Sequence, residues 1–185
     1  MYKRQPTNRA TVVSGDGAIT AGFAESALVD RLPARWTADG HGEVLVPLDG
    51  DAPGEVLSIS ADGSVLAGTW GFDGFTWTEA AGVQILPRLE GPLPSDPVFP
   101  NAMTADGRTV FGGVGSAFFT IPTAFVWTAA DGMRPLTALT TAAGIELPEG
   151  LVLTSVLGAS ADGTVLVGIA MDADAATHSF VLRLP

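Results

Sequence analysis

Apolar positions along this chain come in short runs, not at a helical period. Runs such as Glu55-Val56-Leu57-Ser58-Ile59, Ser64-Val65-Leu66-Ala67, Thr109-Val110-Phe111, Leu151 to Leu157 and Thr164-Val165-Leu166-Val167 alternate with clusters of Gly, Asp, Ser and Pro. Short β-rich runs bounded by turn residues read as strands. In Thr164-Val165-Leu166-Val167-Gly168-Ile169 the odd and the even positions are both apolar or glycine. A sheet with one wet face would alternate apolar with polar, so the pattern predicts sheets covered on both sides.

The runs repeat. Ser/Thr-x-Asp-Gly occurs at Ser14 to Gly17, Ser60 to Gly63, Thr104 to Gly107 and Ser160 to Gly163, at spacings of 46, 44 and 56 residues. Five residues after each last glycine stands another glycine, Gly22, Gly68, Gly112 and Gly168. In three copies a Trp-Thr pair follows in phase, at Trp36, Trp77 and Trp127, and Leu182 takes that place in the fourth. Asp-Gly between β-rich runs is a hairpin signal, because glycine supplies the positive φ of a tight turn and the preceding hydroxyl bonds back into it. A second turn, Ala38-Asp39-Gly40 or Ala130-Asp131-Gly132, leads to a fourth strand. Each unit therefore reads as a four-stranded meander of the length of a propeller blade. The prediction is an all-β, β-propeller-like chain with repeats at about 6–50, 51–94, 95–150 and 151–185, the last one lacking its outermost strand. In-phase glycines inside strands mark a crowded place. The in-phase tryptophans read as core, more buried than the out-of-phase Trp70.

Two segments depart from the meander. Pro135 to Gly144 spaces its apolar residues helically and ends in a C-cap glycine, predicting a short helix near 136–143. Gly91 to Pro100 reads as a proline-stiffened loop between blades. Residues 1–5 hold the only Tyr and the only Lys of the chain and read as an assembly scar on a gene fragment. With poor strand material before Thr11, the chain is expected to be the C-terminal part of a longer ring, leaving open edges for upstream repeats of the same protein.

Composition narrows the chemistry. Among 185 residues, 20 acids against 9 bases give a net charge of −11, which disfavours nucleic acid and anionic lipid as partners. There is no cysteine, hence no disulfide framework or thiolate metal site, and no apolar stretch of membrane-spanning length.

Ser-Ala-Asp-Gly-x-Val-x-x-Gly, followed by Ala-Phe-x-Trp-Thr and Asp-Gly-Met, resembles the bacterial extracellular repeat family called HAF repeats. The resemblance covers residues 11–185, and Gly132 to Pro185 is similar to that family's usual C-terminal repeat. It implies a secreted or surface protein of tandem units behind a signal peptide and says nothing about activity. The chain departs from the family in Leu182 and in lacking a His-Ala-Phe triplet.

Several side chains are candidate sites. Asp16, Asp62, Asp106 and Asp162 would form a carboxylate ring for Ca²⁺, but aspartate also suits these turns. Asp172 and Asp174, paired in one loop, are the better cation candidates. His41 and His178 lie in different repeats without zinc spacing. No Gly-x-Ser-x-Gly elbow or phosphate loop is present. Trp70, Phe72, Asp73 and Phe75 form a short, aromatic, glycine-rich loop suited to stacking on a sugar or aromatic ligand. Phe118-Phe119 is a weaker candidate of the same kind. The favoured function is a non-catalytic extracellular or cell-surface module that binds a protein or glycan and uses no cofactor. The rival is a hydrolase- or lyase-type enzyme with its site in the propeller channel.

Overall fold

The computed structural model describes residues 7–25, 31–46, 52–89, 95–115 and 121–185. Residues 1–5 and Phe118-Phe119 lie outside them. The chain is all-β and propeller-like. Blade I comprises β1 (Asn8–Val13), β2 (Ile19–Ala24), β3 (Leu32–Thr37) and β4 (Gly42–Val44). Blade II comprises β5 (Gly54–Ile59), β6 (Val65–Trp70), β7 (Asp73–Thr78) and β8 (Gly82–Ile85). Blade III comprises β9 (Val98–Met103), β10 (Thr109–Val114), β11 (Thr123–Thr128) and β12 (Gly132–Pro135). Blade IV has three strands, β13 (Val152–Ala159), β14 (Val165–Met171) and β15 (Thr177–Arg183). Strands pair antiparallel in chain order within every blade.

The expected helix is α1 (Thr137–Ala142), between blades III and IV. Gly144 follows its C-cap at φ +67°, and the N–H groups of Gly144 and Ile145 return to the carbonyls of Thr141 and Thr140. That pair of bonds closes the last turn and stops the helix. Leu136 is buried, and Leu139, Ile145, Leu147 and Leu151 pack against the core between blades III and IV. The insertion therefore accounts for the 56-residue spacing.

The Asp-Gly turns are alike in atomic detail. In blade II, Ser60 Oγ donates to Asp62 Oδ1 at 2.7 Å and accepts the Val65 N–H at 2.9 Å. Asp62 Oδ1 also accepts the Ser64 N–H at 3.0 Å, and Gly63, at φ +72°, donates its N–H to the Ser60 carbonyl. The same bonds recur around Ser14–Asp16, Thr104–Asp106 and Ser160–Asp162. The hydroxyl and one carboxylate oxygen, Oδ1, thus close the turn.

A backbone ladder joins these turns from blade to blade. Gly15 donates its N–H to the Ala61 carbonyl, Ala61 to Ala105, and Ala105 to Ala161, each at 2.8 Å. The in-phase strand glycines are crowded, as expected, but by their own sheet. A Cβ on Gly22, Gly68, Gly112 or Gly168 would lie 1.9 to 2.1 Å from a carbonyl of the first strand, where that strand bulges.

Apolar side chains fill the spaces between successive blades. Ala21 of blade I meets Val56, Leu66, Phe75 and Trp77 of blade II. Ala67 of blade II meets Val98, Val110 and Phe125 of blade III, and Phe111 and Val126 of blade III meet Leu153, Val156, Leu166 and Leu182 of blade IV. Of the in-phase tryptophans only Trp77 is buried. Trp36 and Trp127 are half-buried, as is the out-of-phase Trp70. Trp70 owes its cover to a different cause: its ring packs against the core shared by blades I and II, and its Nε1 donates to the Ala52 carbonyl at 3.0 Å. Repeat phase therefore ranks Trp77 above Trp70, but not Trp36 or Trp127.

Candidate functional site

Every Asp-Gly turn joins the first and second strands of its blade, so the second-to-third-strand loops emerge at the opposite end. Loops 71–72 and 172–176 share that end, which places Phe72 and Asp172 with Asp174 there. The turn carboxylates lie at the other end. Each is held below the usual carboxylate range by hydrogen bonds inside its own turn. The Ser60 hydroxyl, the Ser64 N–H and the Ser64 hydroxyl, in that order, bring Asp62 to about 2. Ser160, the Thr164 N–H and the Thr164 hydroxyl do the same for Asp162, also about 2. Asp16, held first by the Ala18 N–H, and Asp106, held first by Thr104, are lowered without a third bond of that kind.

The loop between β6 and β7 is tightly fastened. Gly71, at φ +62°, donates its N–H to the Pro53 carbonyl at 2.8 Å, and the Phe72 carbonyl accepts the Val98 N–H at 3.1 Å. Arg88 clamps the loop from β8's exit. Its Nη2 donates to Asp73 Oδ1 at 2.7 Å and to the Phe72 carbonyl at 3.0 Å, and its Nη1 donates to the Asp96 carbonyl at 2.8 Å. Arg88 Nε and Nη2 both reach Asp73 Oδ1, which leaves Oδ2 as an acceptor. The Phe72 ring stands 58% exposed on this rigid base, and Ile85 beside it is 51% exposed. Ala52, Trp70, Gly71, Phe72, Asp73, Ile85 and Arg88 line an open depression of about 550 Å³.

Three of the four residues proposed for this loop thus come together at one surface. The fourth, Phe75, does not: it is fully buried between blades I and II. Its phase, shared with Phe125 and Phe180, carried that information in the sequence. Arg88 and Ile85 lay outside the repeat signal, and nothing local to the Gly-rich loop pointed to them.

Asp172 and Asp174 do not converge on a common point. Asp172 Oδ1 accepts the N–H groups of Asp174 and Ala176 at 3.0 and 2.9 Å, and its Oδ2 meets His178 Nε2 at 2.7 Å. The His178 bond first, then the Ala176 N–H, lowers the Asp172 pKa. Its oxygens therefore close the loop and anchor the histidine. Among the described residues no group of three His, Asp or Glu side chains is placed to hold a metal.

A buried carboxylate also escaped the sequence reading. Glu55, on the first strand of blade II, is almost fully buried and takes Arg9 Nη2 on both oxygens, at 2.6 and 2.8 Å. Thr11 Oγ1 donates to Oε1, and Arg31 Nη1 lies 3.7 Å from Oε2. The guanidinium groups of Arg9 and Arg31 both stack on Phe23, 5.0 and 4.6 Å from its centroid. This arrangement ties blade I to blade II by an ion pair and cation–π contacts.

No family model and no curated protein matches the chain. Solved structures do. TolB from Acinetobacter baumannii superposes with a TM-score of 0.60 at 15% identity, over 93% of this chain and 40% of that one. A TolB described as putative, from Agrobacterium tumefaciens, gives 0.50 at 17% identity, over 93% and 64%. A puromycin hydrolase S511A mutant in complex with PGG gives 0.55 at 14% identity, over 92% and 26%. The chain spans less than two thirds of each of these proteins, and at such identities the likeness is one of fold: a β-propeller-like array of blades.

Proposed function

We propose that this chain is a non-catalytic binding module whose ligand meets the loop end of the blades, with Phe72, Ile85 and Asp73 as the contact surface and a glycan as the ligand. The observation that carries this reading is the exposed Phe72 ring on a loop clamped by Arg88. A rigid, exposed aromatic ring beside a carboxylate with a spare oxygen suits a sugar, whose apolar face stacks and whose hydroxyls donate. The extracellular or cell-surface setting, and membership of the HAF-repeat family, belong to the same proposal and rest on the repeated Ser-Ala-Asp-Gly and Ala-Phe-x-Trp-Thr motifs.

The rival reading, an enzyme with a channel site, would draw on Glu55, the buried acid near the start of β5. Arg9, Thr11 and Arg31 already engage its oxygens, which supports a structural role instead.

The test is affinity electrophoresis through gels cast with soluble polysaccharides: xylan, galactomannan, pullulan and carboxymethylcellulose. Retardation in at least one gel, abolished by Phe72→Ala with folding intact, is the expected result. Equal mobility in all of them, or retardation that Phe72→Ala leaves unchanged, overturns the glycan assignment.

A further inference from the structure

Successive blades meet at the in-phase aromatic position, and the three meetings inside the chain can be compared residue by residue. Between blades I and II the Arg35 guanidinium sits over the Trp77 ring, 4.3 Å from its centroid. Glu43, the cross-strand neighbour of Arg35 on β4, holds Arg35 Nε in an ion pair, and Trp77 is left only 7% exposed. Between blades III and IV the same two positions are Val126 and Leu182, which belong to one buried apolar cluster.

Between blades II and III the pair is incomplete. Thr76 stands where Arg35 does, and Gln84, its cross-strand neighbour on β8, stands where Glu43 does. Trp127 keeps the aromatic position but is half-buried, and among the described residues no guanidinium lies over it. Threonine ends at its γ atoms, so it stops short of the space that an arginine covers one blade earlier. A groove of about 600 Å³ is found there, and its lining includes Val65, Thr76, Thr78, Arg108, Trp127 and Thr128. The groove lies at the turn end of the blades, away from Phe72.

Three features suit this groove to a guanidinium. The face of a tryptophan ring carries the negative side of its quadrupole and attracts a cation. The rim holds more acid than base. Arg108 already faces Asp106 at 3.7 Å, whereas Glu79, next to Thr78, has no ion-pair partner among the described residues. Gln84 makes its hydrogen bonds through Nε2, to the Ala81 and Val83 carbonyls. That leaves its Oε1 as an acceptor on the face of the sheet that Thr76 shares.

We propose that the groove over Trp127 is a guanidinium site, which takes an arginine side chain of a partner polypeptide in the position that Arg35 holds over Trp77. The occupant is chosen by the contact the chain itself builds one blade earlier and by the charge of the rim. Trp127 supplies the stacking face, Thr76 the room, and Gln84 an acceptor in place of Glu43. The site is separate from the surface at Phe72 and does not depend on it.

The probe is N-acetyl-arginine amide, titrated into the isotope-labelled full chain while NMR follows the tryptophan indole N–H signals. The Trp127 signal is identified as the one that Trp127→Phe removes. It is expected to move saturably at millimolar probe, while the Trp77 signal, already covered by Arg35, stays in place. N-acetyl-citrulline amide, the uncharged isostere, is expected to bind at least about fivefold more weakly. Gln84→Glu is expected to tighten binding and Gln84→Lys to weaken it, each about two- to fivefold, at an exposed position that spares the fold. Thr76→Arg rebuilds the Arg35 contact within the chain and is expected to abolish the shift; the Gln84 pair decides even where that variant fails to fold. An unmoved Trp127 signal in the parent overturns the proposal. So does citrulline amide binding as tightly as arginine amide, because stacking without charge is then enough. A folded Thr76→Arg that still responds, or equal affinity in the two Gln84 variants, overturns it as well. A response to N-acetyl-glutamate amide instead would assign the groove to Arg108 and an anion, and tighter binding of free arginine would make the ligand an amino acid; either result rejects the proposal.

Discussion

The two ends of the blades are built by opposite rules. At the turn end, four Ser/Thr-x-Asp-Gly segments repeat the same bonds, and a backbone ladder links each to the next. At the loop end the connections differ in length and in chemistry: a Gly-Phe turn clamped by Arg88 in blade II, an Asp172–His178 pair in blade IV. Repetition at the turn end shows what the fold itself requires, because every blade must solve the same hairpin problem. Divergence at the loop end shows where the fold leaves residues free. Carboxylates occur at both ends, and only their surroundings tell them apart. Asp62 Oδ1 closes its own turn, while Asp73 Oδ1 takes Arg88 from the exit of β8, fifteen residues along the chain.

That contrast can be broken most forcefully at the two phenylalanines of the Gly-Phe-Asp-Gly-Phe segment. Phe75→Ala is expected to cost about 3–5 kcal/mol, because it empties a fully buried site between two blades. Phe72→Ala should leave stability close to that of the parent, since its ring is mostly in water. Urea denaturation of both variants decides. Similar losses for the two would mean that the loop is part of the core.

A smaller effect is expected in the turns. Ser60→Ala removes the hydroxyl that accepts the Val65 N–H and donates to Asp62, at a buried position. A loss of about 1–3 kcal/mol follows from leaving those partners unpaired. Ser160→Ala, in the half-buried turn of blade IV, should lose less. Thermal melts of the pair check the order, and reversal would show that burial does not govern the turn.

The smallest effect is a titration. Asp62 and Asp162 are lowered from 3.8 to about 2 in the folded chain. A carboxyl depressed on folding stabilises the protein above its unfolded value, and this contribution is lost as pH falls from about 4 towards about 2. Both groups are solvent-exposed, so the gain is modest and screened by salt. Ser64→Ala should move Asp62 upward, towards the behaviour of Asp16, which has Ala18 where Asp62 has Ser64. Carbon-detected NMR titration of the side-chain carboxyls measures it, and an unmoved Asp62 would remove the Ser64 hydroxyl from the account.

Local features were readable because their causes are local. The Asp-Gly turns need only a glycine at positive φ and a hydroxyl residue three positions before it. The helix end needs only Gly144. The strand glycines were legible as crowded, but their cause, a bulged neighbouring strand, lies in the pairing register. The candidate loop was half legible. Its aromatic residues stood out, whereas Arg88, fifteen residues beyond Asp73, becomes part of it only when β8 returns beside β7. Asp172 and Asp174 looked like paired ligands from their spacing, until backbone N–H groups and His178 claimed the Asp172 oxygens.

By itself the sequence determined that this is a tandem array of β-meanders: how many units there are, where each turn falls, and which unit carries the helix. Those properties follow from periodicity and turn chemistry, which act between residues close along the chain. Tertiary structure alone decided that Phe75 is core while Phe72 is surface, that Glu55 gathers Arg9 and Arg31, and that Val167 and Val181 face outward while Ala67 and Thr76 do not. Residues of one repeat phase receive the same local conformation, but their burial depends on whether another blade stands against them, and that is set by position in the array.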